Sequence, residues 1–352
     1  MEGGGAERVV LNLANEFFNR EISFVLILRF KKGPYLKELN SGIKIIELNA
    51  NNPILLISRL IKSCNSSCID TLLTVSRYNN VIGLVANRFL KKRIIIREAS
   101  TFNELFTGNS IKYKILFKLM KIYYPSANMI IANSKDTAKD IISHISINKE
   151  KLVVINNPIV NEKILKLSNE IIGDEFFSEL SKPIIISIGR LFPSKNYSFL
   201  IRSFKKVATE VPNINLVILG EGPLKKQLID LSKVLRIEKN VHFFGFVNNP
   251  YKYLKHSDVF VLSSTYEGFG NVIVEALAVG IPVVSSDCPG GPKEILDNGK
   301  YGKLIPINDE DAMADALIST LRANIDKKML IERSKLYSIK KITDEYCEVI
   351  FQ

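Results

Sequence analysis

From Ser23 onward, short apolar runs of strand length alternate with longer stretches whose apolar residues recur at helical spacing. In the first half the strand-like runs are Ser23–Leu28, Ile43–Leu48, Asp70–Val75, Arg93–Ile96, Met129–Ala132 and Val153–Val160, with helical periods at Ile54–Ser63, Val81–Leu90 and Lys135–Ser143. In the second half strands are expected at Pro183–Gly189, Asn215–Gly220, Val241–Phe244, Val259–Leu262 and Pro282–Ser286. The helices between and after them are expected at Tyr197–Val211, Leu224–Leu235, Tyr251–Lys255, from Asn271, Glu310–Ala323 and Lys328–Phe351. Strand and helix in alternation predict parallel sheets with crossover helices, an α/β fold. Between Asn161 and Lys182 the apolar period breaks up, which predicts a linker. The expected division is therefore a domain over 1–160, a linker over 161–182, a second domain over 183–325 and a terminal helical segment over 326–352.

The chain opens on glycines, Gly3-Gly4-Gly5, running into an amphipathic helix with Val9, Val10, Leu13, Phe17 and Phe18 on or near one face. A glycine loop of this kind normally follows a strand, yet only Met1 and Glu2 precede it. The first strand is expected to be missing, and a start upstream of Met1, adding roughly ten mostly apolar residues, is the expectation that follows.

The 352 residues are 46% hydrophobic, enough for two domains with cores of their own, and the 24% charged content gives no sign of disorder. No apolar run approaches the length of a membrane-spanning helix, and no basic-then-apolar leader is present. Four scattered cysteines predict free thiols in a reducing cytoplasm; with three histidines they offer no metal centre. His242, inside the apolar run Val241–Phe244, reads as a packed or hydrogen-bonded ring.

The net charge of +12, about two-thirds of it before Ser181, points to anionic partners. Nucleic acid is the weaker choice, because no recognised binding motif occurs. The stretch from Asn103 to Tyr124 interleaves Lys112, Lys114, Lys118 and Lys121 with large apolar residues. As a helix it is either a core-packing helix with solvated lysines or one made for an anionic membrane surface.

The chemistry concentrates between Asp258 and Glu294. A buried strand, a polar turn, a helix beginning near Asn271 and a second buried strand form one unit whose loop faces the ligand-binding, C-terminal edge of a parallel sheet. Two carboxylates, Glu267 and Glu275, flank Gly268 and Gly270, and bare amides at a helix start suit a phosphate. Glu275 could accept hydrogen bonds from vicinal sugar hydroxyls; alternatively both acids are simply favoured by the helix dipole. In the loop after the strand at Pro183–Gly189, Arg190 and Lys195 form a cationic pair able to neutralise a diphosphate, unless both are merely solvated. Gly220–Pro223 and Gly245–Val247 end strands on the same edge and could frame a nucleobase, or be plain turns.

The run from Glu267 to Glu275, followed by Ala-Leu-Ala-Val-Gly-Ile-Pro-Val-Val, resembles the E-x7-E signature of the retaining glycosyltransferases of family 4. Gly189-Arg190-Leu191 with Lys195-Asn196 is similar to the family's G-R-L loop, Gly220-Glu221-Gly222-Pro223 to its G-x-G-P turn, and Gly3–Val9 to its N-terminal glycine loop. These stand in the family's order over nearly the whole chain. The resemblance implies the GT-B fold, two Rossmann-like domains with parallel sheets facing a central cleft, with the last helix returning to the first domain. It implies transfer of a sugar from a nucleotide-diphosphate donor, UDP-linked by the similarity of the Asp287–Leu296 phrase, to a glycan or lipid-linked hydroxyl in surface polysaccharide synthesis.

In the family's terms Glu267, Arg190 and Lys195 are the catalytic candidates. The donor site would comprise Gly4, Gly5, Gly189, Arg190, Lys195, Gly220, Phe246, Val247, Glu267, Gly268, Phe269, Gly270, Asn271, Val272 and Glu275. Arg97 and Glu98 stand where family members often carry a histidine, so they are the acceptor-side candidates. No Asp-x-Asp pair occurs near a strand end, so neither metal nor other cofactor is expected. The enzyme is expected in the cytoplasm, peripheral on the inner face of the membrane. A nucleotide-sugar epimerase and an inactive nucleotide-sugar-binding partner remain alternatives.

Overall fold

The computed structural model describes residues 4–102 and 111–352. Gly3 of the glycine loop and Asn103–Ser110, at the head of the basic stretch, lie outside them. The chain divides into two compact units, one running to Ile159 and joined by Tyr337–Gln352, the other Val160–Leu336.

The first unit begins with α1 (Gly5–Asn19), β1 (Leu26–Leu28), β2 (Ile45–Glu47), α2 (Pro53–Ser66), β3 (Thr71–Val75), α3 (Arg77–Leu90) and β4 (Arg93–Glu98). It continues with α4 (Ile111–Tyr123), β5 (Met129–Ala132), α5 (Lys135–His144) and β6 (Leu152–Val154). Polar caps start two of these helices: the Asn52 side chain accepts from the Leu55 amide and Ser134 from that of Thr137. In α1 the buried face is Val9, Leu11, Leu13, Ala14 and Phe17, so Val10 and Phe18 lie nearer the edge than the sequence period suggests.

All strands here pair in parallel, but they form two sheets, β1 with β2 and β3-β4-β5-β6. Among the described residues no strand precedes α1, and none joins the two sheets. One side of the larger sheet packs Ile94, Ile96 and Ile130 against α2, α3 and α4 through Leu60, Leu84 and Met120. The other side packs Ile95, Ile131 and Ile155 against Val9, Leu13 and Phe17 of α1 and against Ile342, Tyr346 and Val349 of the last helix.

The second unit holds α6 (Glu162–Ser168), α7 (Glu175–Glu179), β7 (Ile184–Ile188), α8 (Tyr197–Glu210), β8 (Asn215–Leu219), α9 (Lys225–Val234), β9 (Val241–Gly245) and α10 (Tyr251–Lys255). Then come β10 (Val259–Leu262), α11 (Asn271–Ala278), β11 (Val283–Ser286), α12 (Pro292–Ile295), β12 (Lys303–Ile305), α13 (Glu310–Arg322) and α14 (Lys327–Lys335). Its six parallel strands lie in the order β12-β11-β10-β7-β8-β9, a doubly wound sheet. The strand order reverses between β7 and β10, whose register pairs Ile185 with Val259 and Ile186 with Phe260.

Three local expectations change. Residues 161–182 hold α6 and α7, capped by the Asn161 and Asp174 side chains, because Ile164 and Phe177 find buried positions that a broken sequence period hides. The strand β12 was not foreseen, since three residues, one of them an exposed lysine, give no apolar run. The terminal stretch is two helices, because Ser338 accepts from the Lys341 amide and so caps a new one, α15 (Ile339–Ile350), on the first unit. No helix among the described residues is long and apolar enough to cross a membrane.

Candidate functional site

The point where a doubly wound sheet reverses its strand order leaves a crevice beyond the carboxyl ends of the two central strands. Here the segments leaving those ends are 189–196 after β7 and 263–270 after β10, the same two that the sequence singles out. They are tied together by the Thr265 amide donating to the Ser194 carbonyl at 2.9 Å and the Ser263 hydroxyl donating to the Lys195 carbonyl at 2.7 Å.

At their junction Glu267 is only 8% exposed. Its Oε1 accepts from Lys195 Nζ at 2.5 Å and from Ser264 Oγ at 2.6 Å. A carboxylate this buried is tolerable only with such charge-assisted partners. Lys195 is held where the 3-10 turn Pro193–Lys195 closes, with Asn196 in the left-handed region at φ 51° starting α8. Arg190 does not join the ion pair; it is exposed, with its guanidinium 5.0 Å from the centre of the Phe192 ring.

Glycines let four loops stack in pairs, backbone on backbone. A Cβ on Gly291 would lie 2.0 Å from the Phe269 carbonyl oxygen, and one on Gly220, already at φ 143°, would lie 2.0 Å from that of Gly189. The Glu267 amide donates to the Pro289 carbonyl at 3.0 Å, so the Cys288–Gly291 turn backs the carboxylate loop. Burial, followed by the nearby Glu267 charge, pushes the Cys288 thiol up to about 12, so this cysteine stays a neutral packing group.

Gly270, at φ 93°, precedes α11 and offers no side-chain cap to its first turn, where the Ile273 amide donates to the Gly270 carbonyl at 2.9 Å. Asn271 and Val272 open that helix, and Glu275 follows one turn later, partly exposed. Tyr251 Oη, from α10, donates to Glu275 Oε1 at 3.4 Å. Gly220 and the exposed Phe246 with Val247 leave the ends of β8 and β9, the neighbouring strands on the same side of the crevice. Gly268 and Phe269 complete the loop, the Phe269 ring buried.

The structure thus gathers Gly189, Arg190, Lys195, Gly220, Phe246, Val247, Glu267–Val272 and Glu275 onto the carboxyl edge of one sheet. Gly4 and Gly5, at the start of α1, belong to the other unit. Ser264 and Tyr251 were not foreseen. Ser264 reaches Glu267 from three residues earlier in the same loop, where the adjacent Ser263 and Ser264 are the only hint, and Tyr251 reaches Glu275 from another helix.

Arg97 and Glu98 are not open acceptor contacts. Both are buried at the end of β4 and point to opposite sides of the sheet. Arg97 donates to Tyr346 Oη at 2.7 Å and to Asn157, fastening the last helix. Glu98 accepts from Arg77 Nε at 3.1 Å and Tyr124 Oη at 2.9 Å. Burial raises the Glu98 carboxyl against the opposing pull of Arg77. His242 is a hydrogen-bonded ring as expected, with Nε2 2.8 Å from Asn215 Oδ1 and Phe176 edge-on at 5.2 Å. Among the described residues no three His, Cys, Asp or Glu side chains are grouped so as to hold a metal ion.

Comparison with known proteins adds two family matches. Residues 3–163 match "Glycosyltransferase Family 4" and residues 169–337 match "Glycosyl transferases group 1". A Campylobacter jejuni protein named as an N-acetylgalactosamine-N,N'-diacetylbacillosaminyl-diphospho-undecaprenol 4-alpha-N-acetylgalactosaminyltransferase is 33% identical over 341 residues, 94% of this chain and 91% of the relative. The Rhizobium meliloti lipopolysaccharide core biosynthesis glycosyltransferase LpsE is 25% identical, with 99% and 96% covered. Among solved structures, Anabaena HepE in complex with UDP and glucose superposes with a TM-score of 0.80 at 19% identity over 100% of this chain and 98% of that one. That likeness supports the fold expected from the sequence, two Rossmann-like parallel-sheet units of the GT-B class.

Proposed function

Because the chain belongs to the GT-B glycosyltransferases, its two halves matching family 4 and group 1, we propose that it moves a sugar from a UDP-linked donor to a hydroxyl of a lipid-linked or polysaccharide glycan, with retention and without a metal. The observation that carries this reading is the Lys195–Glu267–Ser264 cluster, set beside the start of α11 at the sheet's reversal point.

In this role Lys195, joined by Arg190 once a diphosphate draws it from Phe192, stabilises the negative charge that grows on the leaving UDP. The bond from the anomeric carbon to the phosphate oxygen breaks with its electron pair going to UDP. The acceptor oxygen bonds to that carbon on the face being vacated, and its proton passes to the departing phosphate oxygen. The amides of Gly270, Asn271 and Val272 hold the distal phosphate, as helix starts do for anions. Glu275, steadied by Tyr251, accepts from the ribose hydroxyls, and Glu267 from the sugar hydroxyls. Gly220, Phe246 and Val247 frame the base. Lys195 and Arg190 together supply the charge that a divalent ion would otherwise bring.

The UDP and glucose bound by HepE and the diphospho-undecaprenol in the name of the Campylobacter relative support the donor and acceptor classes. On this reading the enzyme works from the cytoplasmic face of the cell membrane, its donor in water and its acceptor anchored in lipid. The test is a thermal-shift panel of UDP, GDP and ADP sugars on the wild-type chain and on Glu275→Ala. A UDP sugar is expected to raise the melting temperature of the first with the logarithm of ligand over Kd, and of the second far less. No shift with any nucleotide sugar would end the proposal.

A further inference from the structure

Four large apolar side chains that stay more than half exposed lie on two neighbouring helices of the first unit. In α4 the positions 111, 115, 118 and 122 advance by four, three and four residues, so they share one face. Ile111 is 73% exposed, Ile115 55% and Ile122 58%, with Lys118 completing the stripe. Lys112, Lys114 and Lys121 flank it, also exposed, and the helix contains no acid. The opposite face is satisfied: Leu116, Phe117, Met120 and Tyr123 pack into the core beside buried Tyr124. Alongside, α3 packs against α4 and ends in exposed Arg88, Phe89 at 72% and Lys91.

A helix whose inward face already fills the core has no internal use for three outward isoleucines. A contiguous exposed apolar patch of this kind marks a docking surface. Its cationic frame selects the partner: isoleucines ringed by lysines match an acyl boundary beneath anionic headgroups. Nucleic acid would answer the lysines and leave the isoleucines in water. We infer that the outer face of α4, with the C-terminal turn of α3, docks on an anionic lipid bilayer, with Ile111, Ile115, Ile122 and Phe89 entering the headgroup–acyl boundary and the lysines meeting lipid phosphates. The surface stands on this geometry alone; only its use, to bring the enzyme to a lipid-linked acceptor, rests on the function proposed above.

Flotation of the full chain with phosphatidylcholine vesicles, with and without phosphatidylglycerol, tests it and needs neither donor nor acceptor. The expected result is binding to the anionic vesicles at low salt that weakens as salt rises, and none to the neutral ones. I111S/I115S/I122S, which leaves charge unchanged, is expected to weaken binding about a hundredfold. K112Q/K114Q/K118Q/K121Q is expected to weaken it by about fivefold per lysine. Because all these side chains are exposed, both variants are expected to melt like wild type. Undiminished binding by the serine variant would overturn the inference by leaving only polyanion attraction. Equally tight binding of duplex DNA, or no binding to anionic vesicles at any salt, would overturn it as well.

Discussion

Replacing Lys195 by methionine separates a catalytic cation from a merely structural one. The methionine keeps most of the volume and removes the ammonium, leaving Glu267 buried with Ser264 as its only remaining side-chain donor among those described. Breaking one side of a buried ion pair typically costs 3–5 kcal/mol, and because the Lys195 side chain is itself 22% exposed the lower end applies. About 3 kcal/mol in a unit of this size lowers its melting temperature by roughly 6–12 °C. If Lys195 also stabilises the leaving diphosphate, turnover falls about a hundredfold or more, a further ~3 kcal/mol in the barrier.

Adding Glu267→Gln removes the stranded charge. The double variant is therefore expected to regain most of the lost melting temperature while its turnover stays low. The assay is UDP release, with melting followed in parallel, using the UDP sugar that gives the largest thermal shift. Wild-type kcat/KM in Lys195→Met, or restored turnover in the double variant, would refute the reasoning and leave the pair as a loop brace.

Three further outcomes are expected. On the proposed roles of Lys195 and Arg190 as the cations that meet the diphosphate, transfer measured in EDTA is expected to match transfer without it; loss in chelator with recovery in magnesium or manganese would count against this. Gly291→Ala places a methyl within 2.0 Å of the Phe269 carbonyl oxygen, so the carboxylate loop must shift; donor-induced thermal shift and melting temperature should both fall, by about 2 kcal/mol or more in stability, and an unchanged melt would show the loops to be slack. Burial lowers the His242 pKa from 6.5, so the unfolded chain binds more protons there, and stability is lost as pH falls below about 6.5 toward the folded value. His242→Gln should flatten that part of the stability–pH curve, whereas an unchanged slope would assign it to other groups.

The apolar runs of β7, β8, β10 and β11 and the two signature carboxylates were legible in the chain, because a fully buried parallel strand must be apolar along its length and a tight loop needs glycine where backbones touch. The glycines at 189, 220, 290 and 291 could be located in advance, but what each approaches could not. That depends on loops 22 to 31 residues apart in the chain meeting at the carboxyl edge of the sheet. The same limit hides Tyr251, whereas Ser264, only three residues before Glu267, was missed because a hydrogen bond to a carboxylate leaves no period in the sequence. It also explains α6, α7 and β12, elements too short to show one. Arg97 and Glu98 look like surface chemistry when read as letters. Only the packing of β4 between two layers, with Tyr346 on one side and Tyr124 on the other, makes them interior struts. On α4 the sequence by itself determined that lysines and apolar residues interleave, but it left open whether the isoleucines face the core or the solvent. Tertiary structure decided that, because the core has room for one face of a helix and takes the one carrying Met120.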